Sequence, residues 1–225
     1  MKFAIFGDIH ANLEALQAVI ADSQEQGCAS YVCLGDIVGY AANPSECLEI
    51  VRAMNCPVVR GNHDEGAAST SLLEELNPLA QKALLWTRGQ LNDEQLHWLR
   101  ELKLVRQVRD FTIVHATLDS PGAWGYVTNR FDAVASFSYQ FTQVCFYGHT
   151  HVPRVFEKDD TVRGAHRVHE PLGPMLRTPR ILDGLDLAVV DAALVELGLE
   201  VPEQRQLGWR DLHRLHVELG HRVED

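Results

Sequence analysis

Five apolar runs in this sequence end on the same kind of punctuation, a short island of aspartate, histidine or asparagine that stands beside a glycine or closes the run. The islands are Gly7-Asp8-Ile9-His10, Gly35-Asp36, Gly61-Asn62-His63-Asp64, Val114-His115 and Gly148-His149-Thr150-His151. Glycine permits the sharp turns that re-aim the next side chain. A chain with polar, ligand-type residues at the ends of buried strands is constrained toward a layered α/β architecture. In such sheets ligands bind in the crevice beyond the carboxyl ends of the strands.

The apolar runs fit that reading. Lys2 to Phe6, Tyr31 to Leu34 and the short Val58-Val59 pair are predicted strands ended by Gly7, Gly35 and Gly61. Between them, Asn12 is placed to cap a helix running to about Gln26, with Gly27 as its stop. Asn43-Pro44-Ser45-Glu46 reads as a capped helix start, continuing to about Met54. Strands alternating with helices imply a mostly parallel sheet. Ser71 to Leu104 reads as a helical insertion, with Pro78 opening one segment and Asn92 capping another. Val105 to Val108 and Phe111 to Val114 read as a hairpin that delivers His115, and Gln143 to Tyr147 as a strand that delivers His149 and His151. The expected fold is therefore an α/β sandwich of mixed, mostly parallel sheets flanked by helices. Past about Glu157 the periodicity fades. Leu185 to Val195 suits a strand or a helix, and Leu207 to Leu219 an amphipathic helix. The expectation is a single domain over 1–225, with a motif-bearing core at 1–157 and an atypical tail at 158–225.

Composition narrows the function classes. At 225 residues, 46% hydrophobic and 23% charged, the chain has the make-up of a soluble globular domain. It has no apolar run of about 18 residues and no apolar core of a secretory signal, so no membrane association is expected. A net charge of −11 without a basic stripe argues against non-specific nucleic-acid binding, while leaving a small nucleotide substrate open. The five cysteines are scattered with no Cys-x-x-Cys pair, which speaks against a disulfide framework or a thiolate zinc site and for a reducing cytoplasm.

The island residues offer oxygen and imidazole nitrogen without sulfur. That donor set suits Mn, Fe, Zn, Co or Ni in sites that keep positions open for water. Two such ions about 3.5–4 Å apart can activate a shared hydroxide and clamp both sides of an in-line displacement. His63 stands within the Asn-His-Asp island as a titratable proton donor. Any one island alone is weak; their joint placement at strand ends is what points to a two-ion hydrolase of phosphate esters.

The series Asp-x-His, Gly-Asp, Gly-Asn-His-Asp, a single His and Gly-His-Thr-His resembles the calcineurin-like metallophosphoesterase superfamily. The stretches GDIVGYAANPSEC and GHTHVP resemble its small bacterial phosphodiesterase branch. The resemblance covers about Met1 to Val155. It implies one divalent ion on Asp8, His10, Asp36 and His151, and a second on Asp36, Asn62, His115 and His149. It further implies catalysis by His63, protonated and oriented by Asp64, with a metal-activated hydroxide attacking phosphorus. The substrate implied is a phosphodiester or phosphomonoester of a small molecule or nucleotide. Two rival readings are a protein phosphatase and a non-catalytic metal-binding scaffold or subunit. The first is weakened by Asp64 where such enzymes carry glutamate, and by the lack of an arginine between Asp36 and Pro44. Homo-oligomerisation is left open. The chain departs from the family after His151, where no Asn-Pro-Gly-Ser turn follows; Gly173-Pro174 and Asp183-Gly184 are the nearest turn signals.

Other residues carry weaker signals. His97, His166, His169, His213, His216 and His221 read as surface residues. Trp124 and Tyr126 suit either a lid over the site or an exposed aromatic loop, and Tyr40 and Asn43 stand close enough to the Gly-Asp island to line a pocket. Trp86 and Trp98 read as core, and Arg60 as a strand-end ion pair.

Overall fold

A computed structural model describes residues 2–69 and 78–158 in full, and the backbone of two further strands at 162–165 and 186–189. Strand β1 (Lys2–Phe6) lies at the centre of a parallel sheet, between β2 (Ser30–Cys33) and β8 (Asp186–Val189). The predicted Val58-Val59 strand contributes only two isolated parallel bridges, Cys33 to Val58 and Val59 to Lys103. Helix α1 (Leu13–Glu25) connects β1 to β2, and α2 (Pro44–Ala53) follows β2. Asn12 caps α1 as expected, its side chain accepting from the Ala15 N–H at 3.0 Å. Asn43 does not cap α2 through its side chain; Pro44, with its φ fixed at a helical value, starts that helix.

A short helix α3 (Asn62–Ala68) begins inside the third island. It is followed by α4 (Pro78–Gln90) and by α5 (Asp93–Glu101), which Asn92 and Gln95 close with a reciprocal capping box. The hairpin of β3 (Val105–Val108) and β4 (Phe111–Val114) forms as expected, and β5 (Val144–Phe146) adds to it in parallel. The turn between these two pieces holds α6 (Arg130–Phe137), which the sequence pattern did not announce. A second hairpin joins β6 (Val155–Lys158) to β7 (Val162–Ala165).

The two three-stranded sheets face each other. Phe3 and Ile5 of β1 pack with Val32, Leu34 and Val59 against Val108, Phe111 and Ile113 of the second sheet. Phe111 meets Phe3 and Phe146 edge-on, with ring centroids 5.5 and 5.3 Å apart. Such pairs add about 0.5–1.5 kcal/mol each beyond area burial. On the other face Phe6 and Cys33 pack with Leu16, Val19, Leu48, Val51, Leu84 and Leu99 from the helices. Both faces of the first sheet are therefore covered, which is why its strands read as continuous apolar runs.

Trp86 departs from its expected core position and is 45% exposed on α4. Trp98 packs against the core, with the Arg52 guanidinium 5.9 Å from its ring centre. Arg60 makes the expected ion pair, with Glu65 at 2.9 Å. His97 is exposed. All five cysteines are free. Among the described residues no helix is long and apolar enough to cross a membrane. Within the tail, the strand-or-helix choice at Leu185 to Val195 is met by strand β8. The proposed helix at Leu207 to Leu219, the two turn signals after His151 and the other five weighed histidines lie outside the described residues.

Candidate metal centre

The five islands arrive at one place because the loops that carry them are laced together by their backbones. The Asp8 N–H donates to the Gly35 carbonyl at 3.0 Å, His10 to Asp36 and Ala11 to Ile37 at 2.9 Å, and Gly148 to His115 at 3.0 Å. The lacing holds side chains in a costly conformation. Asp8, His10, Asp36, His149 and His151 all have left-handed backbones, with φ between 50 and 67°. Ala11, Tyr40 and Trp124 beside them do too. Each such residue costs on the order of 1–3 kcal/mol and persists only where its surroundings over-determine it.

Asp64 supplies much of that determination. It is fully buried, and its two oxygens accept from the backbone N–H groups of Asp36 at 2.9 Å, Ile37 at 2.9 Å, Val38 at 3.3 Å and Gly61 at 3.0 Å. Through these bonds the carboxylate shapes the Gly35–Val38 loop. Burial and the Asp36 charge push its carboxyl up to about 7, against the pull of the Gly61 and Val38 N–H groups. With both oxygens accepting, an added proton displaces one of these bonds.

The glycines of the islands are there for close approach as much as for turning. A Cβ at Gly61 would overlap the Asp36 carboxylate, and one at Gly148 would lie 2.6 Å from Asp8 Oδ2. Gly39 does the same for His63: its own φ is +98°, and a Cβ there would lie 2.6 Å from His63 Nδ1.

Among the described residues three overlapping groups could hold a cation: Asp8 with His10 and His151, Asp36 with His115 and His149, and His10 with Asp36 and His63. In the first, His10 Nε2 lies 3.1 Å from His151 Nε2, and His151 Nε2 lies 3.4 Å from Asp8 Oδ1. In the second, Asp36 stands with His115 and His149, and Asn62 Oδ1 lies 3.2 Å from His115 Nε2. Asp36 Oδ2 lies 3.7 Å from His10 Nε2 and 3.2 Å from His115 Nε2, between the groups. Its other oxygen accepts the His63 N–H at 2.9 Å. Two nitrogen ligands at about 2.1 Å from one ion stand about 3.0–3.4 Å apart at octahedral or tetrahedral angles. Four of these five donor separations lie in that range, with Asp36 Oδ2 to His10 Nε2 at 3.7 Å the exception, so the donor set suits divalent cations.

Backbone carbonyls fix the ring orientations. His115 Nδ1–H donates to the Leu34 carbonyl at 2.8 Å, which turns Nε2 toward Asp36 and Asn62. His149 Nε2–H donates to the Trp124 carbonyl at 2.9 Å, leaving Nδ1 to act as a ligand. The sequence could not point to these two carbonyls, because a main-chain oxygen carries no residue identity.

His63 is brought into contact with the same cluster, its ring centre 4.7 Å from His10 and 4.4 Å from Tyr40. Burial, only partly offset by Asp36, pulls its imidazole down to about 4. Burial thus favours the uncharged ring in the substrate-free site. Burial also opposes charge on His115, yet the adjoining Asp36 carboxylate raises it to about 9. Asp36 itself is held well below the carboxylate range: burial opposes its charge, but His115, His63 and His10 outweigh that. Of the other residues weighed, Tyr126 stacks on His149 and Tyr40 meets His10 edge-on, with centroids 4.1 and 4.9 Å apart. Asn43 is used by its backbone N–H, which donates to the Ala11 carbonyl at 3.1 Å.

The family profile described as the calcineurin-like phosphoesterase superfamily domain matches residues 1–167. An uncharacterised protein of Methanocaldococcus jannaschii is 38% identical over 156 residues, 68% of this chain and 63% of its own length. A symmetrical bis(5'-nucleosyl)-tetraphosphatase of Vibrio vulnificus is 29% identical over 129 residues, 56% of this chain and 47% of its own length. The matched region thus spans less than two thirds of these curated relatives. The crystal structure of a metallophosphoesterase from Sphaerobacter thermophilus aligns with TM-score 0.62 and 36% identity, covering 73% of this chain and 68% of that one. A hypothetical protein from Pyrococcus horikoshii shares the fold at TM-score 0.55 and 20% identity, over 68% and 71% of the two chains. The profile spans most of the chain and takes in every island from Asp8 to His151, and the chain therefore belongs to the calcineurin-like phosphoesterase superfamily.

Proposed function

We propose that this chain is a dinuclear-metal-dependent phosphoesterase that hydrolyses a phosphodiester or phosphomonoester of a small molecule or nucleotide. One divalent cation is assigned to Asp8, His10, Asp36 and His151, and a second to Asp36, Asn62, His115 and His149. The observation that carries this reading is the position of Asp36 Oδ2, 3.7 Å from His10 Nε2 in one ligand group and 3.2 Å from His115 Nε2 in the other. A single carboxylate oxygen between two nitrogen donors of separate groups is what a shared ligand requires.

When bound, the two cations supply an activated water nucleophile and neutralise phosphoryl charge. The chain does the rest. Asp36 and Asp8 provide negative charge that the ions offset. Asp64 holds the Gly35–Val38 loop so that Asp36 keeps its aim. His63, neutral in the resting site, donates a hydrogen bond to the phosphoryl or leaving-group oxygen. An entering anionic phosphate ester would raise its affinity for a proton, and a proton taken up from water on substrate binding can then pass from His63 to the leaving oxygen. The relative that acts on bis(5'-nucleosyl) tetraphosphates supports a nucleotide substrate. The free cysteines fit a reducing, cytoplasmic setting.

The test is metal analysis of the purified protein, followed by assay of bis-nitrophenyl phosphate and nitrophenyl phosphate with added Mn²⁺. Two ions per chain and Mn²⁺-dependent turnover of either ester are expected, with the preferred ester deciding between diesterase and monoesterase. One ion per chain, or bound metal without turnover on any ester, would overturn the reading.

A further inference from the structure

Two exposed tyrosines touch the ligand histidines, and they do so differently. Tyr40 is 54% exposed, but its ring leans on two imidazoles, tilted by 60° to His10 and by 51° to His63. Tyr126 is 58% exposed and stacks on one imidazole alone, His149, with ring centres 4.1 Å apart and planes within 15°. The Tyr126 ring therefore covers one face of a metal-ligand candidate, nearly parallel to it, while remaining largely open to solvent. Its backbone is anchored on both sides. The Trp124 carbonyl accepts from His149 Nε2–H at 2.9 Å, and Val127 is buried. A large aromatic held exposed beside a ligand cluster, on a segment entered through the left-handed Trp124 (φ 54°), is not explained by core packing. Stacking on such a ring takes any base and asks for no hydrogen-bond pattern.

We propose that Tyr126 is a specificity-determining residue whose ring stacks on the nucleobase of a nucleoside phosphate held at the His149 side of the cluster. The inference rests on the phosphate-ester reading above, and it adds the substrate class: esters or anhydrides whose phosphate carries a nucleoside. The Tyr126 ring positions the base, and it takes no part in bond making.

Binding of AMP and of methyl phosphate to the Mn²⁺-loaded protein tests this without requiring turnover. The two probes share a phosphate monoester and differ in the nucleoside. The wild-type chain is expected to bind AMP at least about ten-fold more tightly than methyl phosphate. Tyr126→Ala should cut that preference by about ten-fold, and Tyr126→Phe should keep it. Equal affinity for the two probes in the wild type overturns the proposal. So does a preference that survives Tyr126→Ala, or one removed by Tyr40→Ala instead. A parallel loss of both probes and of metal in Tyr126→Ala would make the ring mere cover for His149 and also overturn it. Because the readout is binding, absence of ester hydrolysis in the wild type would count against the enzymatic reading and leave this one measurable.

Discussion

Asp36 and Asp64 are both buried carboxylates at one spot, yet their surroundings give them opposite tasks. Asp36 offers an oxygen to two imidazoles, while Asp64 spends both oxygens on backbone N–H groups. Substituting each should therefore fail in a different way. Asp36→Asn is expected to lower bound metal toward zero per chain, because the proposed centre gives its carboxylate to both ions; His151→Ala, which removes a proposed ligand of one ion, should leave about one. Elemental analysis separates the two, and full retention of both ions by Asp36→Asn would refute the bridging role. Asp64→Ala leaves several buried N–H groups without acceptors, at about 1–3 kcal/mol each. A loss of at least about 3 kcal/mol in denaturant unfolding of the metal-free protein is expected, and a change within error would show that water replaces the carboxylate. His63→Ala should keep its metal and lose about 10²–10⁴-fold in turnover, the usual contribution of a positioned proton donor. Equal loss of metal and turnover would make His63 a ligand.

The loops at strand ends are the elements that matter to the site, and their glycines are tested by steric arguments. Gly148→Ala puts a methyl 2.6 Å from Asp8 Oδ2, in the loop that follows β5. It should keep a cooperative unfolding transition while losing metal at the Asp8, His10 and His151 group. Circular dichroism beside metal analysis checks this, and an unchanged metal content would mean the loop yields. At this scale the sequence was legible where the code is local. Asn12 and Asn92 announce their helices because a cap bonds within three residues, and the islands announce the site because glycine and ligand types stand together. Asn43 shows the limit of that code, since a proline starts α2 without any side-chain cap. Helix α3 was hidden because its seven residues include no apolar stripe, and its start doubles as a ligand island. Strand β8 was ambiguous because its four residues are defined by pairing with β1, some 180 positions away. Trp86 looked like core because helical spacing with leucines does not reveal which face the rest of the protein covers.

On the scale of the molecule, residues from both sheets meet at the site: Asp8, Asp36 and Asn62 from loops of the first, and His115, His149 and His151 from the second. The packing of Phe3, Ile5 and Leu34 against Phe111 and Ile113 therefore sets the separation of the two ligand groups. Bringing charges together this way couples folding to protons and to metal. The coupling can be signed for His115. Burial opposes its charge but Asp36 prevails, so its folded value, about 9, lies above the ordinary 6.5. A base raised on folding adds stability that is fully present below its unfolded value and is lost as pH rises through its folded value. The chelated protein should therefore melt at a lower temperature at pH 9 than at pH 7. Asp64, raised to about 7, is half-titrated at the start of that window, and the five cysteines, whose thiols burial raises, begin to ionise in the unfolded chain near its end. Both act in the same direction as His115, so its own share is the part of the drop that His115→Asn removes. Divalent cations compete for the same His115 nitrogen, so metal uptake at pH 8 should release protons, and apparent metal affinity should rise from pH 7 to 9. Differential scanning calorimetry in chelator reads the first effect, and titration calorimetry in buffers of unlike ionisation enthalpy reads the second. A chelated melting temperature that climbs from pH 7 to 9, together with metal binding that releases no proton, would show that Asp36 and His115 do not share a proton in the empty site, and with it would go the electrostatic case for one carboxylate serving both halves.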